Sequence, residues 1–266
     1  MRTASERQLR TKLDVRGLVG LVGFFLLWEV ASRVGLVPDT FVPPPSVVLP
    51  TLGDLLVNDE DFLRYVVASV LATLIALGLA IIIAVPAGLV LGSVAAVRKA
   101  VMVIIEFLRP LPSVALIPLA LLAFGTGPDT KIGLATFAAV WPILFNTMYA
   151  LSEIDPLQVQ TARVFGTGRV GVLAKVALPH AAPFALTGIR MSAAISFAVV
   201  ISVELLAGGS PGIGRFVVEV NNGGLQMDAV LATIVFAGLL GYLINAGLEK
   251  LHRTLFAWNA PHEVAQ

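Results

Sequence analysis

Ser152 to Ala185 reads SEIDPLQVQTARVFGTGRVGVLAKVALPHAAPFA, a stretch too polar to cross a bilayer and set between two long apolar runs. Asp155-Pro156 opens it with a side-chain acceptor followed by a residue suited to the first helical position. Leu157, Thr161, Val164 and Phe165 then fall at i, i+4, i+7 and i+8, which predicts a short helix with one apolar side. Gly166 ends it, because glycine takes positive φ without steric cost. A second segment is expected from about Thr167 to Ala177, halting at Leu178-Pro179. A short helix at a membrane surface with its apolar side uncovered is a docking element.

Composition explains why the flanking runs belong in a membrane. Of 266 residues, 57% are hydrophobic and 13% charged, with a mean hydropathy of +0.90. Soluble domains carry about 25% charged residues. One soluble core cannot absorb that deficit, so apolar surface faces lipid. At about 20 apolar residues per span, the chain holds about six transmembrane helices and little else, an all-α integral membrane protein. The runs lack the alternation of a membrane barrel.

The expected spans are Gly17 to Gly35, Tyr65 to Val97, Pro110 to Pro128, Ile132 to Ser152, Phe184 to Ala207 and Ala229 to Leu248. The second is longer than one straight crossing, which predicts tilt or an interfacial part. Pro86, Pro118 and Pro142 lie within spans, so neighbouring helices must satisfy the carbonyls they free. The corresponding organisation is a tail over 1–16, a first span and external loop over 17–64, a core of five spans over 65–250 enclosing the loop 152–185, and a tail over 251–266.

Lysine and arginine set the orientation. With both termini inside, 13 of the 18 Lys and Arg are cytoplasmic, and the acidic run Asp54, Asp59, Glu60, Asp61 is external. Arg33, Arg64, Lys131 and Arg215 are then external too. The segment before Trp28 has the charged and apolar parts of a signal peptide. Leu26, Leu27, Trp28 and Glu29 are too bulky for a cleavage site, so it reads as a retained span. Pro38 to Pro50, with Pro43-Pro44-Pro45, reads as an extended external strap.

Reactive chemistry is sparse. No G-x-x-x-x-G-K-[ST] occurs, so the chain has no phosphate loop. Gly125-Thr126-Gly127, Gly166-Thr167-Gly168 and Gly212-Ile213-Gly214 read as turns, since no strand precedes them. His180, His252 and His262 lie outside the spans, and H-E-x-x-H is absent. The chain has no cysteine, which excludes disulfides, thiolate nucleophiles and Cys-ligated metals. These observations argue against an enzyme, and a net charge of +1 gives no argument for nucleic acid.

Ala162-x-x-x-Gly166, nine further residues, and Val176-x-Leu178-Pro179 resemble the EAA loop of ATP-binding-cassette (ABC) importer permeases. The resemblance extends through Phe124-Gly125, Trp141-Pro142-Ile143, Asn146-Thr147, Ala162-Arg163, Pro183, Gly188-Ile189-Arg190, Val203-Glu204 and Gly212-Ile213-Gly214. Together these are similar to the nitrate, sulfonate, taurine and bicarbonate importer branch, over about Trp28 to Trp258. One departure is that Gln160-Thr161-Ala162 stands where the family has Glu-Ala-Ala. The resemblance implies the type I importer permease fold, in a bacterial cytoplasmic (inner) membrane. It also implies a homodimer of permeases, two separate ATPase subunits that bind ATP and Mg, and an external solute-binding protein. The chain itself would bind no cofactor and no metal.

The resemblance makes Leu157, Ala162, Arg163, Val164, Phe165, Gly166, Leu178 and Pro179 the ATPase-coupling residues. Within the spans, Asn146, Arg190 and Glu204 are candidates for the path or its gates. Asn146 and Glu204 read more readily as structural, Asn146 bonding a freed carbonyl or a neighbouring helix and Glu204 capping helix ends. Arg190 reads as a gate residue or a headgroup anchor. Glu29 with Arg33, and Glu106 with Arg109, are spaced to pair along a helix. The other reading is a secondary transporter or channel working without an ATPase, which calls for repeats or mid-membrane ionisable residues. No clear repeat is seen. The solute is expected to be a small organic or inorganic anion, such as a sulfonate, taurine, nitrate or an aromatic acid.

Overall fold

The computed structural model describes residues 4–224 and 226–256, with side chains from residue 17 onward. The described residues form α1 (Ala4–Arg33), α2 (Pro45–Asn58), α3 (Glu60–Ser93), α4 (Ala95–Leu108), α5 (Ile117–Phe124), α6 (Pro128–Ser152), α7 (Pro156–Val164), α8 (Arg169–Val172), α9 (Leu178–Ala207), α10 (Ile213–Asn222) and α11 (Met227–Leu255). A 3₁₀ turn, Ser113–Leu116, precedes α5, and a π turn, Leu173–Ala177, joins α8 to α9. The chain divides into two compact units, Met1–Leu63 with Glu219–Phe236, and Arg64–Val218 with Ala237–Gln266. The expected C-terminal tail beyond Phe256 lies outside the described residues.

In the first unit, Glu29 joins α1 to α2. Its carboxylate accepts from Arg33 Nε at 2.5 Å, as the i,i+4 spacing predicts, and from Ser46 Oγ at 2.8 Å and Ser46 N at 3.0 Å. Ser46 is the second residue of α2, so Glu29 satisfies a backbone donor that no helical carbonyl can reach. Ser32 Oγ donates to Val42 O at 2.7 Å, fixing the connection. The strap expected over Pro38 to Pro50 is corrected: α2 begins inside it. Pro44 is extended and Pro45 takes the first helical position, where a missing N–H costs nothing. Only Pro50 removes a helical hydrogen bond.

The second unit is built on α3, α6 and α9. Ala72 and Ala76 of α3, Leu134, Ala135 and Ala138 of α6, and Val199, Val200 and Val203 of α9 form one buried cluster with Ile117 and Ala120 of α5. Leu77, Ala80 and Ala84 of α3 meet Ala139, Ile143 and Leu144 of α6 and Ala193 of α9 in a second, closed by Ile105 of α4. Large apolar side chains elsewhere on α3, such as Leu74, Ile82 and Ile83, point outward and are exposed. Outward apolar and inward small is the pattern of helices packed in lipid, where close backbone approach replaces hydrophobic drive.

That approach is tightest between α6 and α9. Gly188, Ser192 and Ser196 follow one another at four-residue spacing, and Ser192 Oγ donates to Ala139 O at 2.6 Å. A Cβ at position 188 would lie 2.7 Å from Pro142 O and 2.8 Å from Ile143 Cα. Gly188→Ala is therefore expected to force the helices apart at a cost of about 1–3 kcal/mol. The measurement is the apparent melting temperature in detergent, with Gly133→Ala as control because a Cβ there meets open space.

Among the described residues, α3, α6, the run Arg169–Ala207 and α11 are long and apolar enough to cross a bilayer, and α4 with Ser113–Phe124 forms a pair bent by 76°. The expected third span, Pro110 to Pro128, is therefore corrected to a bent pair that begins before Pro110. Pro110 and Pro112 withdraw two donors and disfavour helix before them, so the chain breaks and resumes as a short α5. α3 begins before Tyr65 and ends at Ser93, short of the expected Val97, because Val94 is extended. The first expected span lies in α1, a helix whose uncharged run stops at Glu29.

Candidate functional site

α7 is fixed at both ends by its own sequence. Asp155 Oδ1 accepts from Leu157 N at 2.8 Å, and Pro156 supplies the first helical residue. This is the expected cap. At the other end, Gly166 has φ +78°. Gly166 N donates to Arg163 O at 2.9 Å, and Thr167 N reaches back to Ala162 O at 3.0 Å. These two bonds form a Schellman turn, which requires a left-handed residue at Gly166. Ala162 thus contributes its carbonyl to the turn.

The side chains carried by this rigid element face away from the chain's own core. Leu157 is 65% exposed, Val164 85% and Phe165 83%, with Arg163 also exposed. Val170, which the sequence reading did not single out, adds a fourth apolar side chain at 80% exposure. Its signal was present: it follows the polar turn Thr167-Gly168-Arg169 and faces no helix of the expected core.

The expected stop at Leu178-Pro179 is corrected. Arg169–Ala207 runs as one helical stretch of 39 residues. Leu178 N donates to Leu173 O, five residues back, across the π turn. The widened turn moves away the carbonyl that the Pro179 ring would otherwise strike. The loop outside the long helix therefore spans Ser152 to Gly168, and the chain beyond it is already the root of α9. Leu178 is partly exposed and borders an apolar cavity with Ala181 and Ala182.

Within the helices, Asn146 Nδ2 donates to Pro142 O at 2.8 Å. The carbonyl that Pro142 frees is that of Ala138, so the expected partner is corrected to one turn further on. Arg190 Nε donates to Asn245 Oδ1 at 2.9 Å. Arg109 lies 4.4 Å over the Phe145 ring, and among the described residues no ion pair joins it to Glu106.

Glu204 sits in a buried polar group of the second unit. Its side chain is fully buried and accepts from Lys131 Nζ at 2.6 Å, from Ser69 Oγ at 2.8 and 2.9 Å, and from Gly214 N at 3.2 Å. Ser69 Oγ in turn accepts from Ile213 N at 2.8 Å, and Lys131 Nζ also donates to Pro211 O at 2.8 Å. One carboxylate and one hydroxyl therefore cap the first donors of α10. A Cβ at Gly212 would overlap the Glu204 carboxylate. The Gly212-Ile213-Gly214 pattern thus leaves room for an internal anion. Lys131, expected in an external loop, is 2% exposed and belongs to this group, as does Ser69. Neither was legible, because both sit beside long uncharged runs whose partners lie far along the chain.

Among the described residues no His, Asp and Glu group could hold a metal ion; the chain offers an exposed capped helix toward one end of α9 and a buried ionic tie at the other. Residues 80–256 match the family described as binding-protein-dependent transport system inner membrane component. The chain is 30% identical to the taurine transport system permease protein of Escherichia coli over 88% of this chain and 86% of that one. It is 28% identical to the bicarbonate transport system permease protein of Synechococcus elongatus, over 95% and 94% respectively. Its fold is similar to a chain of the MetNI methionine ABC transporter in inward-facing conformations, with a TM-score of 0.63 and 21% identity over 72% of this chain and 94% of that one. The uncapped apolar patch, the lipid-facing helices and these likenesses agree: the chain belongs to the family of inner-membrane permease components of binding-protein-dependent ABC importers.

Proposed function

We propose that α7 is the handle through which a separate ATPase drives this permease. The observation that carries the reading is the exposure of Leu157, Val164 and Phe165 on a helix locked by the Asp155 cap and the Gly166 turn. An apolar face held rigid binds a cleft without the entropy cost of ordering a loop. In this reading two ATPase subunits bind ATP and Mg, hydrolyse the nucleotide and grip one α7 each from two permease copies. α7 then lies on the cytoplasmic side with both termini.

The cargo proposed is a small organic or inorganic anion, of the kind for which the taurine and bicarbonate relatives are named. Asn146, Arg190 and Glu204 are each engaged with groups of the chain itself. A path without a waiting charge favours weak binding, with selectivity supplied by an external solute-binding protein.

The test is co-purification. Leu157→Glu combined with Phe165→Asp is expected to lower recovery of the partner ATPase about tenfold or more, as loss of a central apolar anchor does at other interfaces. Both side chains are exposed, so the permease itself should melt at an unchanged temperature. Undiminished recovery of the ATPase would exclude α7 as the handle.

A further inference from the structure

The helix that leaves the Gly166 turn continues through the π turn to Ala207, and Arg190 lies on it roughly 30 Å from Arg169 at 1.5 Å per residue. Ile244 and Leu248 of α11 pack against the buried cluster that holds Ala193 of α9, and a Cβ at Gly241 of α11 would lie 3.5 Å from the Phe197 ring of α9. Nearer the π turn an apolar cavity of about 250 Å³ opens, lined by Leu178, Leu186 and Ile189 of α9, Val85 of α3, Thr147 of α6 and Leu255 at the end of α11. Apolar contact is non-directional, so by itself it does not fix the register of α11 along α9.

Arg190 adds a directional contact. Its Nε donates to Asn245 Oδ1 at 2.9 Å, and a terminal nitrogen stands 3.7 Å from Glu249 Oε2. Asn245 and Glu249 are four residues apart on α11, so the planar guanidinium engages two successive turns of one face. Glu249 is steadied on its own helix by Arg253. The Arg190 and Glu249 side chains are 40% and 32% exposed, so the ion pair contributes little to stability. Its effect is geometric.

We infer that Arg190 is a positioning residue, a strut that makes α11 follow α9 when the coupling helix is pulled; this rests on the reading of α7 given above. Since the chain has no cysteine, spin labels attach only where cysteines are introduced. Met191 on α9 and Leu251 on α11 are exposed and accept them. In the complex assembled with its ATPase, pulsed electron spin resonance is expected to give the same 191–251 distance with and without ATP while Arg190 is present. In Arg190→Ala, ATP is expected to shift that distance by about 2 Å or more, the scale of helix displacements in switching proteins. Arg190→Lys, with one ammonium in place of the fork, should shift it by less. A distance that already changes with Arg190 present, or one that stays fixed in Arg190→Ala, overturns the strut. Failure of the α7 reading would show separately, as ATPase recovered in full with the Leu157→Glu, Phe165→Asp variant.

Discussion

Glu204→Ala is expected to be the most damaging single substitution in the second unit. It leaves the Lys131 ammonium buried with one backbone carbonyl, Pro211 O, as its remaining acceptor among the described contacts. Removing one member of a buried pair typically costs about 3–5 kcal/mol, because the stranded charge has no water to return to. Gly214 N and Ser69 Oγ lose their acceptor in the same step. Glu204→Gln keeps an acceptor oxygen for those donors but not the charge, so it should fall between alanine and the parent. Lys131→Met combined with Glu204→Gln removes both charges and leaves the cap of α10 in place, and should recover most of the lost stability. Apparent melting temperatures of the four purified proteins are the measurement. If Lys131→Met with Glu204→Gln proved as unstable as Glu204→Ala, the cost would come from something other than the stranded charge.

That ionic group marks the boundary of what could be read in advance. Glu204 could be placed near the end of a span and credited with capping, because its position follows from the charge gaps. Its partners could not. Ser69 lies in a run without charges, Lys131 follows a turn, and only the tertiary fold brings α3, α6, α9 and α10 to one carboxylate. The same reason explains Arg190, whose partners Asn245 and Glu249 lie on α11.

Local chemistry was legible where one or two residues decide it. Asp155-Pro156 specified the start of α7, and Gly166 its end, since a cap and a left-handed turn depend on near neighbours alone. Proline misled where its position within the helix mattered more than its presence. Pro45 begins α2 without penalty, Pro179 is accommodated by a π turn, and Pro110 with Pro112 splits a run that hydropathy alone makes continuous. In each case the cost of the missing N–H is set by whether a carbonyl was due to receive it, which composition cannot report.

Substitution of Gly166 is expected to separate folding from transport. Nothing lies within 4 Å of a Cβ at this position, so a side chain meets no steric obstacle other than its own backbone. The backbone is the obstacle: at φ +78°, a non-glycine residue costs about 1–2 kcal/mol, and a β-branched one more. The chain can relieve that strain by giving up the bonds from Gly166 N to Arg163 O and from Thr167 N to Ala162 O. α7 then stays helical from its Asp155 cap but no longer leaves the turn in a fixed direction, and Phe165 swings with the broken end. Because the strain is local and exposed, insertion and melting temperature should change little, whereas uptake by the assembled importer should fall. Asparagine tolerates the left-handed region better than alanine, and valine worst. Uptake is therefore expected to rank Gly166 above Gly166→Asn, then Gly166→Ala, with Gly166→Val below about a tenth of the parent rate, the factor that 1.4 kcal/mol of lost docking free energy sets. The order is the informative result. A side chain that merely clashed with the partner ATPase would rank the variants by volume, placing alanine above asparagine; a turn that must be left-handed places asparagine first.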